Sequence, residues 1–545
     1  MTIPGLGLLG QGRGGLVSAP HALAAEAGAA ILRQGGNAIE AGIAVGSTLA
    51  VVYPHMNGLG GDAFWLISDG DAHSVRGLAA AGPAGRHYSL ELFRKRGLQN
   101  IPFRGGLSAM TVPGTVAGWG AAHAFSQKNW RGQQKWANLL ESAYIHAACG
   151  FPLSPNQSNT LTRFAPVLLE QAGFARQYLP AGVIPPPGTH WSQHTLARTL
   201  GILAEQGAEA FYRGALSGQM IKGLRAAGSM LTEADLRAFK VRWVEPLRIP
   251  FGKGEAINLP PPTQGVASLM ILSLLDRMRL SMDDHLGAEL IHHSVEITKR
   301  VFQFRDQLIT DPLFHQVDCA ALLNDGFLDA LALQVKPRMA MPCPDIGLAK
   351  GDTVWFGVVD AQGRMVSVIQ SLYHEFGTGV VAGDTGVLWN NRGCAFTLEA
   401  GHVNSLEPGK RPFHTLNPAM YAERGRVQMA YGTMGGDGQP QTQAAIIMRA
   451  KYYGLALDEA IASPRWLYGR TWGNASAGLR LESRYSTNVF ADLQRWGHQV
   501  TWVPNYSDLM GHAGIVAWQD SGLGITTALG AADPRSDGGV ATGSV

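Results

Sequence analysis

The spacing of hydrophobic and polar positions changes near residue 350. Before that point, alanine- and leucine-rich segments with helical spacing predict helices over 19–34, 37–52, 136–149, 195–206, 232–239, 264–278 and 285–310. Residues 63–79 alternate enough to predict a hairpin with Asp69 and Gly70 at its turn. After residue 352, short β-rich runs predict strands over 353–359, 364–371, 427–434, 498–503 and 512–519, with helices near 440–453 and 486–496. Strands covered by helices on both sides predict an α/β protein, a four-layer αββα sandwich.

The composition is typical of a large, densely packed enzyme. The chain has 545 residues, of which 46% are hydrophobic, only 16% are charged and 69 are glycine, which excludes a disordered or fibrous protein. This length allows two domains or one large one. The net charge of +3 is spread along the chain without basic runs, so we expect no nucleic-acid partner.

Neither a metal nor a membrane is indicated by the sequence. Cys149, Cys319, Cys343 and Cys394 are scattered without CxxC spacing, so we expect no structural zinc, no disulfide framework and no cofactor. Residues 1–13 lack the charged and apolar regions of a signal peptide. The longest apolar stretch is too short and too rich in glycine to span a bilayer. These features predict a cytoplasmic protein that has no membrane partner.

Thr353 carries the most informative candidate chemistry. It opens an apolar run that residues 360–363 close with a turn, so a buried strand is expected to begin there. If the peptide bond before Thr353 were cut, the residue would carry a free α-amine beside its own hydroxyl, which pairs a nucleophile with a general base. Threonine is also common in strands of any function, and this segment alone does not decide between the two interpretations.

Short segments spread over about 420 residues occur in an order that is typical of one enzyme family. They are residues 15–21, 35–41, 54–61, 112–118, 259–265, 304–306, 351–353, 376–379, 390–391, 410–412 and 432–436. Through them the chain resembles the γ-glutamyltransferase family of N-terminal-nucleophile hydrolases. The resemblance implies a precursor that cleaves itself before the threonine. The large subunit 1–352 and the small subunit 353–545 would stay associated, and such pairs could form a dimer.

The resemblance also implies the catalytic roles. The hydroxyl of Thr353 would attack the carbonyl of Asp352 in the precursor and a substrate amide in the mature enzyme. Its α-amine, which titrates near pH 8, would take the proton. Gly435 and Gly436 would offer backbone N–H groups to the oxyanion, because no Cβ prevents a close approach. Ser371 aligns with a family threonine that hydrogen-bonds the nucleophile.

Several substrate-binding positions depart from the family pattern. Residues 78–83 lack the arginine that anchors a glutamyl carboxylate, and Ala395 replaces the aspartate that holds the glutamyl amine. His414 and Thr415 replace a pair of serines, and Tyr373 replaces an asparagine. A substrate ammonium left unpaired in such a site costs several kcal/mol, so we expect poor γ-glutamyl activity.

Arg392 is the new feature of this region. Arginine is the preferred bidentate partner of a carboxylate, and Tyr373, His414, Thr415 and Asn57 could add hydrogen bonds. Together they predict a site for a small anionic amide, unless Arg392 is a solvated surface residue. The family includes an oxamate amidohydrolase and cephalosporin or glutaryl acylases, and a compact site with bulky side chains favours the first.

Two other functions stay open from the sequence. One is a γ-glutamyltransferase or γ-glutamyl hydrolase that acts on glutathione-like donors. The other is an unprocessed, non-catalytic homologue with a binding or structural role. Thr353, Ser371 and the pair Gly435 and Gly436 argue against this last function.

Overall fold

Two stacked sheets form the centre of the molecule. The computed structural model describes residues 8–342, 352–469, 478–520 and 526–543. Each sheet has seven strands, and all neighbouring strands in both are antiparallel. The Thr353 sheet contains, in spatial order, Gly539–Thr542, Gly15–Ala19, Asp352–Asp360, Met365–Tyr373, Asp62–Ser68, Arg76–Ala80 and Arg242–Val244. The Gly435 sheet contains Leu9–Gly12, Thr526–Ala532, Ala513–Asp520, Arg426–Thr433, Ala419–Glu423, Gly254–Asn258 and Leu247–Phe251.

Side-chain alternation along the strand Asp352–Asp360 separates two hydrophobic cores. In the strand Asp352–Asp360, Trp355 and Val359 point into the core between the two sheets. Val354, Phe356 and Val358 belong instead to the core on the outer face of the Thr353 sheet. Successive side chains point to opposite faces of the sheet, and both sets are buried, so the strand is buried on both faces.

Helices cover both outer faces of the stacked sheets. The Thr353 sheet packs against Ala22–Arg33, Ala38–Val52 and Thr115–Trp130, and Trp136–Cys149 packs on Ala38–Val52. The Gly435 sheet packs against Gly265–Arg277 and Gly438–Ile447, and Ala288–Leu308 packs on Gly265–Arg277. The predicted four-layer αββα sandwich is therefore confirmed.

The remaining elements lie around these layers. The other α-helices are Leu90–Lys95, Pro155–Leu168, Phe174–Tyr178, His194–Gln206, Ala215–Ala226, Glu233–Ala238, Cys319–Leu322, Asp325–Ala332, Leu457–Ala462 and Thr487–Arg495. The other strands are Trp466–Gly469, Gly478–Glu482 and Val500–Val503 in one small sheet, and Phe151–Pro152 and His190–Trp191 in another. Within the described ranges, none of the helices is both long enough and apolar enough to cross a membrane.

Most predicted elements are present, with two corrections. The helix predicted over 136–149 has those bounds. The predicted hairpin exists, but Asp69 and Gly70 only begin a longer connection, in which Asp71 caps a short 3-10 turn by accepting the N–H of His73. The helix predicted near 440–453 ends as an α-helix at residue 447 and continues as the π-helical turn Met448–Tyr452. The polar, proline-bearing sequence over 336–352 predicts an irregular segment that exposes the scissile bond, and residues 343–351 of it lie outside the described residues.

The packing between the sheets brings two strand ends to the same edge of the sandwich. Trp355 packs against Gly432 and Gly514, where a Cβ at either glycine would lie within 2.4 Å of the indole ring. Gly357, two residues further, packs in the same way against Val516. The strands that begin at Asp352 and Ala513 therefore run in the same direction. As a result, the end of Arg426–Thr433 lies on the same side as Thr353.

Candidate active site

Thr353 lies at an irregular point of its strand. Asp352 pairs with Tyr373 whereas Val354 pairs with Gln370, so the register shifts at the residue between them. Thr353 is buried, and its hydroxyl donates to Ser371 Oγ at 3.3 Å. Ser371 Oγ also accepts the backbone N–H of Tyr373 at 2.7 Å. The hydroxyl of Thr353 is thus held by a serine that the neighbouring strand fixes in place.

Gly435 and Gly436 form a tight turn after the strand Arg426–Thr433. Their φ angles of +118° and +54° lie in the region that favours glycine. Their carbonyls accept hydrogen bonds from Gly438 N at 2.8 Å and Gln439 N at 3.2 Å. Among the described residues neither N–H has a partner. Two adjacent free N–H groups can bind an anionic oxygen.

Gln264 connects this turn to Thr415. Its side-chain amide donates to the carbonyls of Gly436 at 2.9 Å and Thr415 at 2.7 Å. Its Oε1 accepts Arg305 Nη1 at 3.1 Å, and the same nitrogen donates to Asp437 Oδ1 at 2.7 Å. All these side chains are buried, so the network fixes the turn from its carbonyl side.

Arg392 is buried, with an exposed fraction of 1%. It begins the 3-10 turn Arg392–Ala395. Its guanidinium carbon lies 4.0 Å from the ring centroid of Tyr373, and its Nε lies 3.9 Å from Asp62 Oδ2. In the part of the chain that the structure describes, none of its three guanidinium nitrogens has a hydrogen-bond partner. The interpretation of Arg392 as a solvated surface residue is therefore wrong.

Several other predicted or neighbouring site residues also have unpaired polar atoms. Both ring nitrogens of His414, the hydroxyl of Thr415 and Asp62 Oδ2 are buried without a hydrogen-bond partner among the described residues. Burial, with the charges of Arg392 and Arg411, lowers the pKa of His414 far below its usual value. Native proteins pair nearly all buried polar groups, so these unpaired atoms call for an explanation, and a bound ligand would provide one. We call Asp62, Tyr373, Arg392 and His414 the Arg392 cluster, and Thr415 follows His414 in the chain.

Tyr373 also lines a small cavity. The cavity has a volume of about 230 Å³, and its walls include Tyr373, Ala395, His402 and Phe413. Tyr373 itself has a φ of +83°, which is uncommon for a residue with a side chain. Strained backbone of this kind is often found at functional sites.

Comparison with known proteins shows which family and which relatives the chain is similar to. The γ-glutamyltranspeptidase family model matches residues 24–543. The oxamate amidohydrolase proenzyme of Klebsiella pneumoniae is 45% identical over 97% of this chain and 98% of its own. The glutathione hydrolase-like YwrD proenzyme of Bacillus subtilis is 40% identical over 96% and 97%. The crystal structure of a cephalosporin acylase from Bacillus halodurans superimposes with a TM-score of 0.89 at 30% identity, covering 99% of this chain and 98% of that one.

The chain belongs to the γ-glutamyltranspeptidase family. This confirms the resemblance carried by the short sequence segments, and the chain is an enzyme of that family. Among the described residues, no group of three or more His, Cys, Asp or Glu side chains could hold a metal ion.

Asn57, a predicted binding residue of this γ-glutamyltranspeptidase-family chain, lies outside the Arg392 cluster. Asn57 is fully buried, and its amide donates to the carbonyls of Leu49 and Tyr53, both at 3.0 Å. Its Oδ1 accepts Gln370 Nε2 at 2.7 Å. The side chain therefore closes the end of the helix Ala38–Val52, and the structure does not bring it into the Arg392 cluster.

Three residues of the site were not predicted from the sequence. Gln264 and Arg305 lie in segments that carry the family resemblance, which was their only signal. Asp62 directly follows another such segment, but it also begins the alternating run of a predicted strand. The structure places it next to Arg392, which is 330 residues away in the sequence.

Proposed function

We propose that this chain is a self-cleaving N-terminal-threonine amidohydrolase. Its substrate would be a small carboxylate-bearing amide, similar to oxamate, which it hydrolyses to an acid and ammonia. The observation that carries the proposal is the buried Arg392, whose guanidinium has no hydrogen-bond partner among the described residues. Such a group is stabilised by an anionic ligand that supplies the missing bonds. The name of the 45% identical relative from Klebsiella pneumoniae, oxamate amidohydrolase proenzyme, supports the same substrate class.

Maturation would begin with the hydroxyl of Thr353, which attacks the carbonyl of Asp352. The resulting ester is opened by water, and Thr353 is left with a free α-amine. The products would be a large subunit 1–352 and a small subunit 353–545. Both sheets contain strands from each fragment, so the two would stay associated after cleavage.

Turnover would use the same hydroxyl. The substrate carboxylate binds Arg392, and Thr353 Oγ1 attacks the amide carbonyl while the α-amine takes the hydroxyl proton. The N–H groups of Gly435 and Gly436 stabilise the oxyanion. The α-amine passes its proton to the departing ammonia, and water hydrolyses the acyl-enzyme. Because the α-amine must be neutral to act as a base, kcat is expected to rise with pH towards the pKa of that amine, near 8.

A panel of amides tests the substrate class. We expect kcat/KM for oxamate and other short dicarboxylic monoamides to exceed that for glutamine or glutathione by at least about 100-fold, since an ammonium without a partner costs several kcal/mol. Ammonia release and glutamate release would be measured with the processed enzyme. The glutathione hydrolase-like relative favours the γ-glutamyl alternative. Faster turnover of glutathione than of oxamate would establish that alternative.

Substitution of Gln264 tests how the oxyanion turn is held. Gln264→Leu leaves the carbonyls of Gly436 and Thr415 without their donor. We expect the free energy of unfolding to fall by about 2–4 kcal/mol and kcat to fall at least tenfold, because the turn loses its fixed position. Chemical denaturation and steady-state kinetics measure the two effects.

Gln193→Leu is the matched control, because this buried glutamine donates to the carbonyl of Val51, which is not a residue of the site. It should lose stability and keep its kcat. If both variants lost kcat equally, Gln264 would have no specific role in the turn.

A further inference from the structure

Asp62 stands next to Arg392 without forming a hydrogen bond to it. The distance of 3.9 Å between Asp62 Oδ2 and Arg392 Nε is too long for one, and Oδ2 has no other partner among the described residues. The second oxygen, Oδ1, accepts the backbone N–H of Gly114 at 3.2 Å. Both side chains have an exposed fraction of 1%. A carboxylate that is aimed at a buried cation but held at this distance leaves the cation free to bind another anion.

We propose that Asp62 is the resident counter-ion of Arg392 and takes up one proton when a carboxylate ligand binds there. The affinity for anionic ligands would then fall as the pH rises. This inference rests on the proposed function, because it requires an anionic ligand to reach Arg392.

The physical reason is the competition of two anions for one buried cation. A bound substrate carboxylate would share the guanidinium with Asp62, and two carboxylates in one buried site cannot both stay ionised. Protonation of Asp62 removes the repulsion and provides an O–H that can donate to the ligand. The proton comes from solvent, so binding and proton uptake are linked.

The environment of Asp62 places this linkage near neutral pH. Burial raises its pKa to about 7, although Arg392 and the backbone N–H groups of Gly82 and Gly114 lower it in part. A bound carboxylate would raise it further. Below pH 7 the free enzyme already holds the proton, and affinity is highest. Above pH 7 the proton must be taken up, and affinity falls by up to about tenfold per pH unit.

Other charged and titratable groups face this pair. The groups that interact electrostatically with Asp62 or with Arg392 are Arg411, Tyr212, Tyr373, Cys394 and His414. Burial raises the pKa of Cys394 to about 12 and lowers that of His414, so both are neutral near pH 7. The α-amine of a processed Thr353 is a second group that could take up a proton, and the experiment must distinguish it from Asp62.

Calorimetric titration of the processed enzyme with oxalate, in buffers of different ionisation enthalpy, counts the protons taken up. At pH 8 we expect nearly one proton per oxalate for the unchanged protein and none for Asp62→Asn. The variant should also bind oxalate about tenfold more tightly at pH 8 and show little change between pH 6 and 8. Asp360→Asn is the matched control, because this buried carboxylate lies at the other end of the strand from Thr353. It should leave proton uptake unchanged.

Proton uptake that persists in Asp62→Asn would overturn the proposal and assign the proton to the α-amine. Infrared difference spectroscopy of the unchanged protein gives a test that does not depend on the variant folding. Oxalate binding at pH 8 should produce the C=O band of a protonated carboxyl group, and its absence would also overturn the proposal. Failure of oxalate to bind at any pH, together with turnover of neutral amides only, would overturn the proposed function as well.

Discussion

Thr353→Ala should abolish both maturation and turnover. The substitution removes the hydroxyl that donates to Ser371 and leaves the strand intact. We expect a single chain of 545 residues on denaturing electrophoresis, in place of fragments of 352 and 545 − 352 = 193 residues. Amide hydrolysis should fall by at least about 10⁴-fold, which is the scale for loss of a catalytic nucleophile. Thr353→Ser keeps a hydroxyl and should still mature, at a reduced rate.

Thr385→Ala is a suitable control for this experiment. Thr385 is also buried, and its hydroxyl donates to the carbonyl of Ala382, which is not a residue of the candidate active site. Its loss should reduce stability slightly and leave cleavage unchanged. Normal fragments and normal turnover in Thr353→Ala would exclude the N-terminal-threonine mechanism. A single uncut chain from the unsubstituted protein, without activity, would instead favour a non-catalytic homologue.

The fold was largely predictable because its elements are set by local periodicity. The strand Asp352–Asp360 has hydrophobic side chains on both faces, and the helix Trp136–Cys149 shows helical spacing over its whole length. Each of these two patterns can be recognised within its own segment, without knowledge of the rest of the chain. The connection after Asp69 was predicted less well, because it is longer than a two-residue turn and contains a short 3-10 turn that Asp71 caps.

The site was predictable only where the family resemblance supplied positions. Asn57 shows where prediction of site residues from the sequence fails, since an asparagine fits a binding pocket and a helix end equally well. Its amide donates to the carbonyls of Leu49 and Tyr53 at the C-terminal end of the helix Ala38–Val52. Asp62 and Gln264 act through partners that are 330 and 172 residues away, and no local pattern encodes such contacts.

Arg392→Met should separate substrate binding from maturation. Methionine fills similar space without the charge, so the substrate carboxylate loses its partner. We expect KM for oxamate to rise by about 100- to 1000-fold, equivalent to ~3–4 kcal/mol. Self-cleavage should continue, because the attack of the Thr353 hydroxyl on the carbonyl of Asp352 requires no bound substrate. Steady-state kinetics and electrophoresis of the purified protein measure both effects.

Stability distinguishes this binding role from a structural one. An arginine that holds the fold together costs stability when it is replaced, whereas a buried guanidinium without hydrogen bonds does not. At pH 6, where Asp62 is largely protonated, Arg392→Met should therefore be at least as stable as the unchanged protein. Arg449→Met is the control, since Arg449 is equally buried but donates to Pro464 O at 2.6 Å. It should lose stability and keep its KM. If Arg392→Met unfolded more easily and bound oxamate normally, Arg392 would be a structural residue and the anionic substrate class would have no basis.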